Sequence, residues 1–375
     1  MRRAVTFFLG ALALLLASGL VLVYSASSTV YPAQPNYFVI RQGLSLALSL
    51  AAGMLAARID YHFWARPGTV AAIAVAVLAG TAAVFLFAPI NGSHRWIDVG
   101  FYKLQPSEFA KIGILIVLAA WFDRVGPRSS SFLRGFLVPG LILAGLTAPI
   151  FLAPDLGSTL VIAVVAGTVF LAAGTRIIYL LAAVPLALGG LALFLAHDPH
   201  RLGRMKDFWA GLAGQGGERA HQTVQSINAF VIGGPFGVGL NNSIQKYRYL
   251  PEAHTDCIYA IAGEEFGLAA SAGIILLFGA LLGCGAWIAY RAQDRFGRYL
   301  GLGLTVLLCF EAGFNMGMVM GYLPTKGLAL PFLSYGGSSL MASLVAAGLL
   351  LNIARQSFLA EDEAPSSMRN ALQHI

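Results

Sequence analysis

The run His254-Thr255-Asp256-Cys257-Ile258-Tyr259-Ala260-Ile261-Ala262-Gly263-Glu264-Glu265 places one carboxylate at the mouth of an apolar segment and two more inside it. A carboxylate at a helix entrance accepts backbone N–H bonds and is stabilised by the helix dipole. The same group acts as a general base when a hydroxyl comes within hydrogen-bond reach. Spacing does not choose between these two roles for Asp256. Glu264 and Glu265 lie deeper and point about 100° apart on a helix, so they serve different partners, in support of the helix as readily as in chemistry. A second polar set, Gln105-Pro106-Ser107-Glu108-Phe109-Ala110-Lys111, enters another apolar run. Glu108 and Lys111 are three apart and share one helix face. They form either a local ion pair with a snorkelling lysine or a cation held toward an anionic substrate group. In a third run Glu311 and Asn315, four apart, read as hydrogen-bonding groups between helices.

Ionised groups at membrane depth cost at least a few kcal/mol and usually mark function. The elements that must carry them are membrane helices, because the chain is 58% hydrophobic and only 11% charged, against about 25% charged in soluble domains. The expected fold class is all-α: a polytopic bundle of ten transmembrane helices near 4–24, 38–57, 70–88, 107–122, 134–152, 157–173, 177–196, 257–290, 298–320 and 337–354. Each span needs roughly 20 mostly apolar residues. The first span opens Met1-Arg2-Arg3 and ends near Ser25-Ala26-Ser27, imitating a secretory signal. Its apolar stretch is too long for a signal core, so it reads as an uncleaved helix. The net charge of +7 does not indicate nucleic acid, because the basic residues are not clustered as such a footprint requires. They occupy short loops. With the N-terminus cytoplasmic, that side carries Arg2, Arg3, Arg58, Arg66, Arg124, Arg128, Arg134, Arg176, Arg291, Arg295, Arg298, Arg355 and Arg369, which places both termini in the cytoplasm.

The longest connection, 197–256, is then extracytoplasmic. It holds Trp209, Phe230, Phe236 and Tyr249 among glycines, and reads as interfacial helices and re-entrant turns lining a cavity. The membrane domain is expected over 1–355 and a disordered cytoplasmic tail over 356–375. Gly313, Gly317 and Gly321, and likewise Gly279 and Gly283, have the spacing that permits close helix approach. The last outer loop, Leu323 to Ser339, contains Lys326 and backbone N–H groups suited to an anion. Cys257, Cys284 and Cys309 lack metal-ligand spacing.

Gly92-Ser93-His94-Arg95-Trp96-Ile97, Gln105-Pro106-Ser107-Glu108, Ala153-Pro154-Asp155-Leu156-Gly157-Ser158, Gln225-Ser226-Ile227-Asn228-Ala229, Gly237-Val238-Gly239-Leu240, Leu250-Pro251-Glu252-Ala253-His254-Thr255-Asp256 and Pro331-Phe332-Leu333-Ser334-Tyr335-Gly336-Gly337-Ser338-Ser339 resemble, in order, the motifs of the SEDS (shape, elongation, division, sporulation) family. Asn242-Ser243-Ile244-Gln245-Lys246 and Pro324-Thr325-Lys326-Gly327 look like its division branch more than its elongation branch. Cys257 stands where an aromatic is usual, Glu311 where an amide is common and Asn241 where glycine is expected. The resemblance implies a ten-helix glycosyltransferase of the cell inner membrane, acting at the division septum, that polymerises lipid II into peptidoglycan. It implies a class B penicillin-binding protein as partner, together with other divisome membrane proteins. Asp256 matches the family's essential aspartate, and Glu108 and Lys111 its polar pair. Arg95, His254, Lys326 and Ser334 are the further candidates for holding substrate; Glu264, Glu265 and Asn315 are expected to support them. No tightly bound cofactor is implied, although a divalent cation, Mg or Mn, would suit the leaving diphosphate. Two other classes compete: a transporter that flips lipid II, for which intramembrane charges are equally expected, and a non-catalytic divisome scaffold. The charged motifs gather on the outer side with no inverted repeat, which favours the enzyme.

Overall fold

The computed structural model of the protein describes residues 2–28, 36–89, 93–98, 100, 103–196, 203, 218–247, 249–324 and 327–363. Helices occupy α1 (Arg2–Ser27), α2 (Tyr37–Arg58), α3 (His62–Ala65), α4 (Pro67–Ala83), α5 (Pro106–Val125), α6 (Val138–Leu152), α7 (Leu156–Ala172), α8 (Ile177–Ala196), α9 (Glu218–Gly233), α10 (Ile258–Tyr290), α11 (Arg295–Val319) and α12 (Gly337–Glu363). Among the described residues the only strands are the two-residue β1 (Ile97–Asp98) and β2 (Lys103–Leu104), paired antiparallel with Ile97 opposite Leu104.

Local chemistry fixes the starts of these helices. Pro67 and Pro106 open α4 and α5 at the first position, where a missing N–H costs nothing. The Asp155 and Asp294 side chains cap α7 and α11 by accepting from Ser158 N (3.3 Å) and Gly297 N (3.2 Å). Each expected span falls on one of these helices. Among the described residues, seven helices are long and apolar enough to cross a membrane. Of the remainder, α5 carries Glu108, Lys111, Asp123 and Arg124, and α7 is 17 residues long. Of the seven, α11 and α12 are the most enclosed, their best apolar windows 67% and 72% buried against 33% or less for the other five, and α5 is likewise buried over most of its length. A side-chain Cβ at Gly348 would sit 2.1 Å from Gly53 O, so α12 meets α2 backbone to backbone. Gly279, Gly283 and Gly313 have no neighbour within 4 Å; instead α10 approaches α11 at Gly285, where Thr305 fills the space.

Two segments differ from expectation. Helix α12 runs to Glu363 rather than ending at 355, because residues 356–363 contain neither Gly nor Pro and Pro365 is the first breaker. The span expected at 257–290 is one element only by sequence: at Gly267 the backbone is non-helical (φ 71°, ψ −161°). The turn after α9 enters this break. Val238 N donates to Glu264 O (3.0 Å), Gly239 N to Glu265 O (2.9 Å) and Leu268 N to Gly234 O (3.0 Å). Irregular backbone at membrane depth needs such internal partners. Of the 197–256 connection, residues 197–202, 204–217 and 248 lie outside the described set.

Candidate functional site

The candidate site gathers around Asp256. Three consecutive carbonyls ahead of α10 are each held from outside. His254 O accepts from Tyr335 N (3.0 Å), Thr255 O from Ser334 Oγ (2.5 Å) and Asp256 O from Asn315 Nδ2 (2.8 Å). On the other side Glu252, itself left-handed at φ 52°, gathers the amides of Thr255, Asp256 and Cys257 on its carbonyl at 3.1–3.3 Å. The Asp256 backbone is therefore fixed from both directions, and its side chain emerges beside Gly327, where a Cβ would come 3.1 Å from Oδ2. Burial, reinforced by the nearby charge of Glu252 and opposed by Arg95, pushes the Asp256 carboxyl up to about 7. A carboxylate with that proton affinity is suited to general base chemistry near neutrality.

His254 lies between Phe38 (4.7 Å between centroids) and Tyr335 (5.7 Å). Burial lowers its pKa, and its Nδ1 has no partner among the described residues, so the ring is a neutral wall of the site. Ser334 is buried, and its hydroxyl is engaged twice, by Thr255 O and by Leu330 N (2.8 Å). The hydroxyl is thereby committed to the loop. Lys326 lies outside the described residues. The Cys257 thiol is pushed up to about 12, chiefly by burial, and is no nucleophile near neutral pH.

Arg95 is a cation at this end, with a quarter of its side chain exposed (24%). Its Nη2 donates to Pro154 O (2.6 Å) and its Nε stands 4.0 Å from Asp155 Oδ1. Asp155 also accepts from Ser107 Oγ (3.0 Å) and Ser158 Oγ (2.7 Å), which joins the starts of α5 and α7. The spacing Asp155 to Ser158 was the available signal for this cap.

Deeper along α5, Lys111 Nζ donates to Glu108 Oε1 (2.9 Å) and, across to α11, to Glu311 Oε1. The lysine side chain is 2% exposed, so both carboxylates enclose it. Sequence reasoning found the first partner, three residues away, and missed the second, which is 200 residues away. Glu264 and Glu265 separate as their directions require. Glu264 accepts from Ser243 Oγ and from Ile244 N (2.8 Å); Glu265 accepts from Ser25 Oγ on α1 (2.5 Å) and lies 3.4 Å from Lys246 Nζ. Both bind the 241–246 segment against α10 just before its break. Lys246 and Ser25 carry no local sequence signal for this burial.

No group of three or more His, Cys, Asp or Glu suited to a metal ion occurs among the described residues. What the architecture defines is a helical membrane protein with a buried carboxylate of raised proton affinity at the mouth of an interrupted helix. The chain belongs to the FtsW/RodA/SpoVE family of cell cycle proteins, whose model matches residues 5–358. Among curated relatives, the "Probable peptidoglycan glycosyltransferase FtsW" of Trichlorobacter lovleyi is 40% identical over 343 residues, 89% of each chain. The protein of the same name from Coxiella burnetii is 37% identical over 353 residues, 92% of this chain and 94% of its own. A chain of a peptidoglycan synthase complex that coordinates polymerization and crosslinking superposes with TM-score 0.78 at 25% identity, covering 94% of this chain and 97% of that one. The rod shape determining protein RodA of Thermus thermophilus superposes with TM-score 0.70 at 26% identity over 94% and 96%.

Proposed function

We infer that the chain is a peptidoglycan glycosyltransferase that polymerises lipid II into glycan strands during cell division, releasing undecaprenyl diphosphate. The observation that carries the chemistry is the Asp256 carboxylate, raised to about 7 on a backbone held at three consecutive carbonyls. The acceptor's GlcNAc 4-hydroxyl gives its proton to Asp256 as its oxygen attacks the donor's anomeric carbon. The new C–O bond forms as the bond to the diphosphate breaks, and direct displacement inverts that centre. The departing diphosphate gains negative charge, which Arg95 stabilises, with Lys326 as a second cation. Such stabilisation is commonly the larger catalytic term. His254 walls the base from bulk water, and the apolar helix faces hold the lipid tails and orient both substrates. A divalent cation shared with substrate would need only one or two protein carboxylates beside the phosphates. Glu252 is the carboxylate available for it, and the ion would supply charge neutralisation at the diphosphate.

The ten expected helices all span the membrane in this reading, with both termini cytoplasmic and the 197–256 connection outside, at the division septum. The partner is a class B penicillin-binding protein that crosslinks the product, among other divisome membrane proteins. The complex of polymerization with crosslinking in the structural relative supports that partner. The open face at Gly279, Gly283 and Gly313 offers its membrane helix a close approach.

The test is purified protein with its penicillin-binding partner and labelled lipid II, with polymer resolved on a gel. Wild type should give glycan strands, and Asp256→Asn should lose about 10²–10⁴-fold in rate while keeping its fold, lipid II binding and partner. Near-normal polymer from Asp256→Asn would remove the base assignment. No polymer from wild type with partner would return the choice to the transporter or the scaffold.

A further inference from the structure

Lys111 stands between two carboxylates that do different mechanical work. Glu108 is three residues before it on the same helix, so that pair ties α5 only to itself. Glu311 is on α11, and its bond to Lys111 is a charged tie between the two helices. All three groups are buried: Glu108 is 7% exposed, Lys111 3% and Glu311 5%. An ion pair so enclosed is weakly screened and strongly dependent on geometry, and breaking it leaves an uncompensated charge.

Glu311 lies one turn before Asn315 on the same face of α11. Asn315 is fully buried and spends both amide hydrogens on the site, one on Asp256 O (2.8 Å) and one on Leu328 O (2.6 Å). The path therefore runs from Lys111 on α5 to Glu311, along one turn of the α11 backbone to Asn315, and from Asn315 to the Asp256 carbonyl and to the loop beside it. A shift of α11 along α5 would move the Asp256 carbonyl and Leu328 together.

We propose that Glu311 is a positioning residue for glycan polymerisation: its tie to Lys111 sets the height of α11, and through Asn315 the place of the Asp256 carboxylate. This rests on Asp256 being the base. Lys111 then acts as the pin of this tie, in keeping with its closed surroundings, and a misplacement of about 1 Å at a reacting group costs on the order of 10²-fold.

The experiment compares Glu311→Ala, Glu311→Gln, Asn315→Ala and the Glu311→Ala/Asn315→Ala double variant, each as full-length protein with its partner. Initial polymerisation rates are measured against lipid II concentration, beside melting temperature. Glu311→Ala should lower kcat about 10–100-fold at unchanged KM, the pattern of a contact needed in the transition state, and should also lower the melting temperature, because a buried Lys111 keeps only Glu108. Glu311→Gln keeps the hydrogen bond to Lys111 and should recover kcat to within about threefold. The double variant should lose no more than Asn315→Ala alone, because both act through one path. A normal kcat in Glu311→Ala overturns the proposal, as does a Gln variant as poor as Ala, or losses that multiply in the double variant. Asp256→Asn is run alongside: if it polymerises normally the base reading falls, whereas an inactive Asp256→Asn beside a normal Glu311→Ala removes only the positioning role.

Discussion

The Asn315 side-chain amide lies 2.8 Å from the carbonyl oxygen of Asp256, across 59 residues of chain. Asp256, the proposed proton acceptor, is thus held by its backbone rather than through its carboxylate. In the same way Ser334 holds Thr255, and Tyr335 holds His254. A base whose main chain is fixed needs little reorganisation when the hydroxyl arrives, which is how pre-positioned groups gain their effect.

The pH dependence follows from the Asp256 value. The rate should fall as pH drops through about 7, because only the ionised carboxylate accepts a proton. Stability runs the other way. A carboxyl raised above its unfolded value near 3.8 favours folding most below that value, and the contribution is lost as pH climbs to about 7. Asp256→Asn should therefore melt at an equal or higher temperature than wild type at pH 8. A wild-type acid limb near 4 would contradict the assigned environment.

Ser334→Ala removes the hydroxyl shared by Thr255 O and Leu330 N. Leaving a buried amide and carbonyl unpaired costs about 1–3 kcal/mol. The expected outcome is a rate lower by about tenfold, read as a change in kcat rather than KM because the loop positions the base. A variant with raised KM and normal kcat would instead mean that Ser334 touches substrate directly.

The break in α10 makes its own prediction. Gly267 has φ 71°, and a Cβ there would lie 2.5 Å from Gly237 N; a Cβ at Gly237 would lie 2.2 Å from Glu265 O. Gly267→Ala and Gly237→Ala must each distort backbone, with the left-handed conformation alone costing about 1–2 kcal/mol. Both should lower the melting temperature in detergent, while Gly273→Ala, which meets open space, should not. Equal melting of all three would argue against the interrupted helix.

Glu265→Ala removes the buried carboxylate that lies 3.4 Å from Lys246 Nζ. Removing one member of such a pair typically costs about 3–5 kcal/mol. Yield of folded protein should fall sharply, and Glu264→Ala should follow, because Ser243 and Ile244 lose their acceptor. Thermal unfolding of the two variants checks this; wild-type melting would show that the 241–246 segment is anchored elsewhere.

Orientation is testable by a single cysteine placed at Gly214 in a cysteine-free background. The arginine distribution predicts labelling from outside intact cells. Labelling that needs a permeabilised membrane would invert the topology.

The sequence by itself determined the helices, because a span in lipid must be an apolar run of nearly fixed length and its charges then stand out. It determined the weight on Asp256 and the Glu108–Lys111 pair for the same reason: both are readable within one or two helical turns. What it could not contain is which distant group meets which. Lys111 reaches Glu311 over 200 residues, Glu265 reaches Ser25 over 240, and Asp256 is held by Asn315 over 59. Those partners depend on how helices pack, and hydrophobic periodicity in a lipid-facing bundle says little about which face turns toward which neighbour. The break at Gly267 was hidden likewise. A glycine in an apolar run is common, and only the arrival of the 234–239 turn, with amides for the freed carbonyls of Glu264 and Glu265, makes the interruption stable. Tertiary packing also engages the Ser334 hydroxyl with Thr255 O and Leu330 N, because burial, which no local pattern encodes, decides which partners a hydroxyl meets.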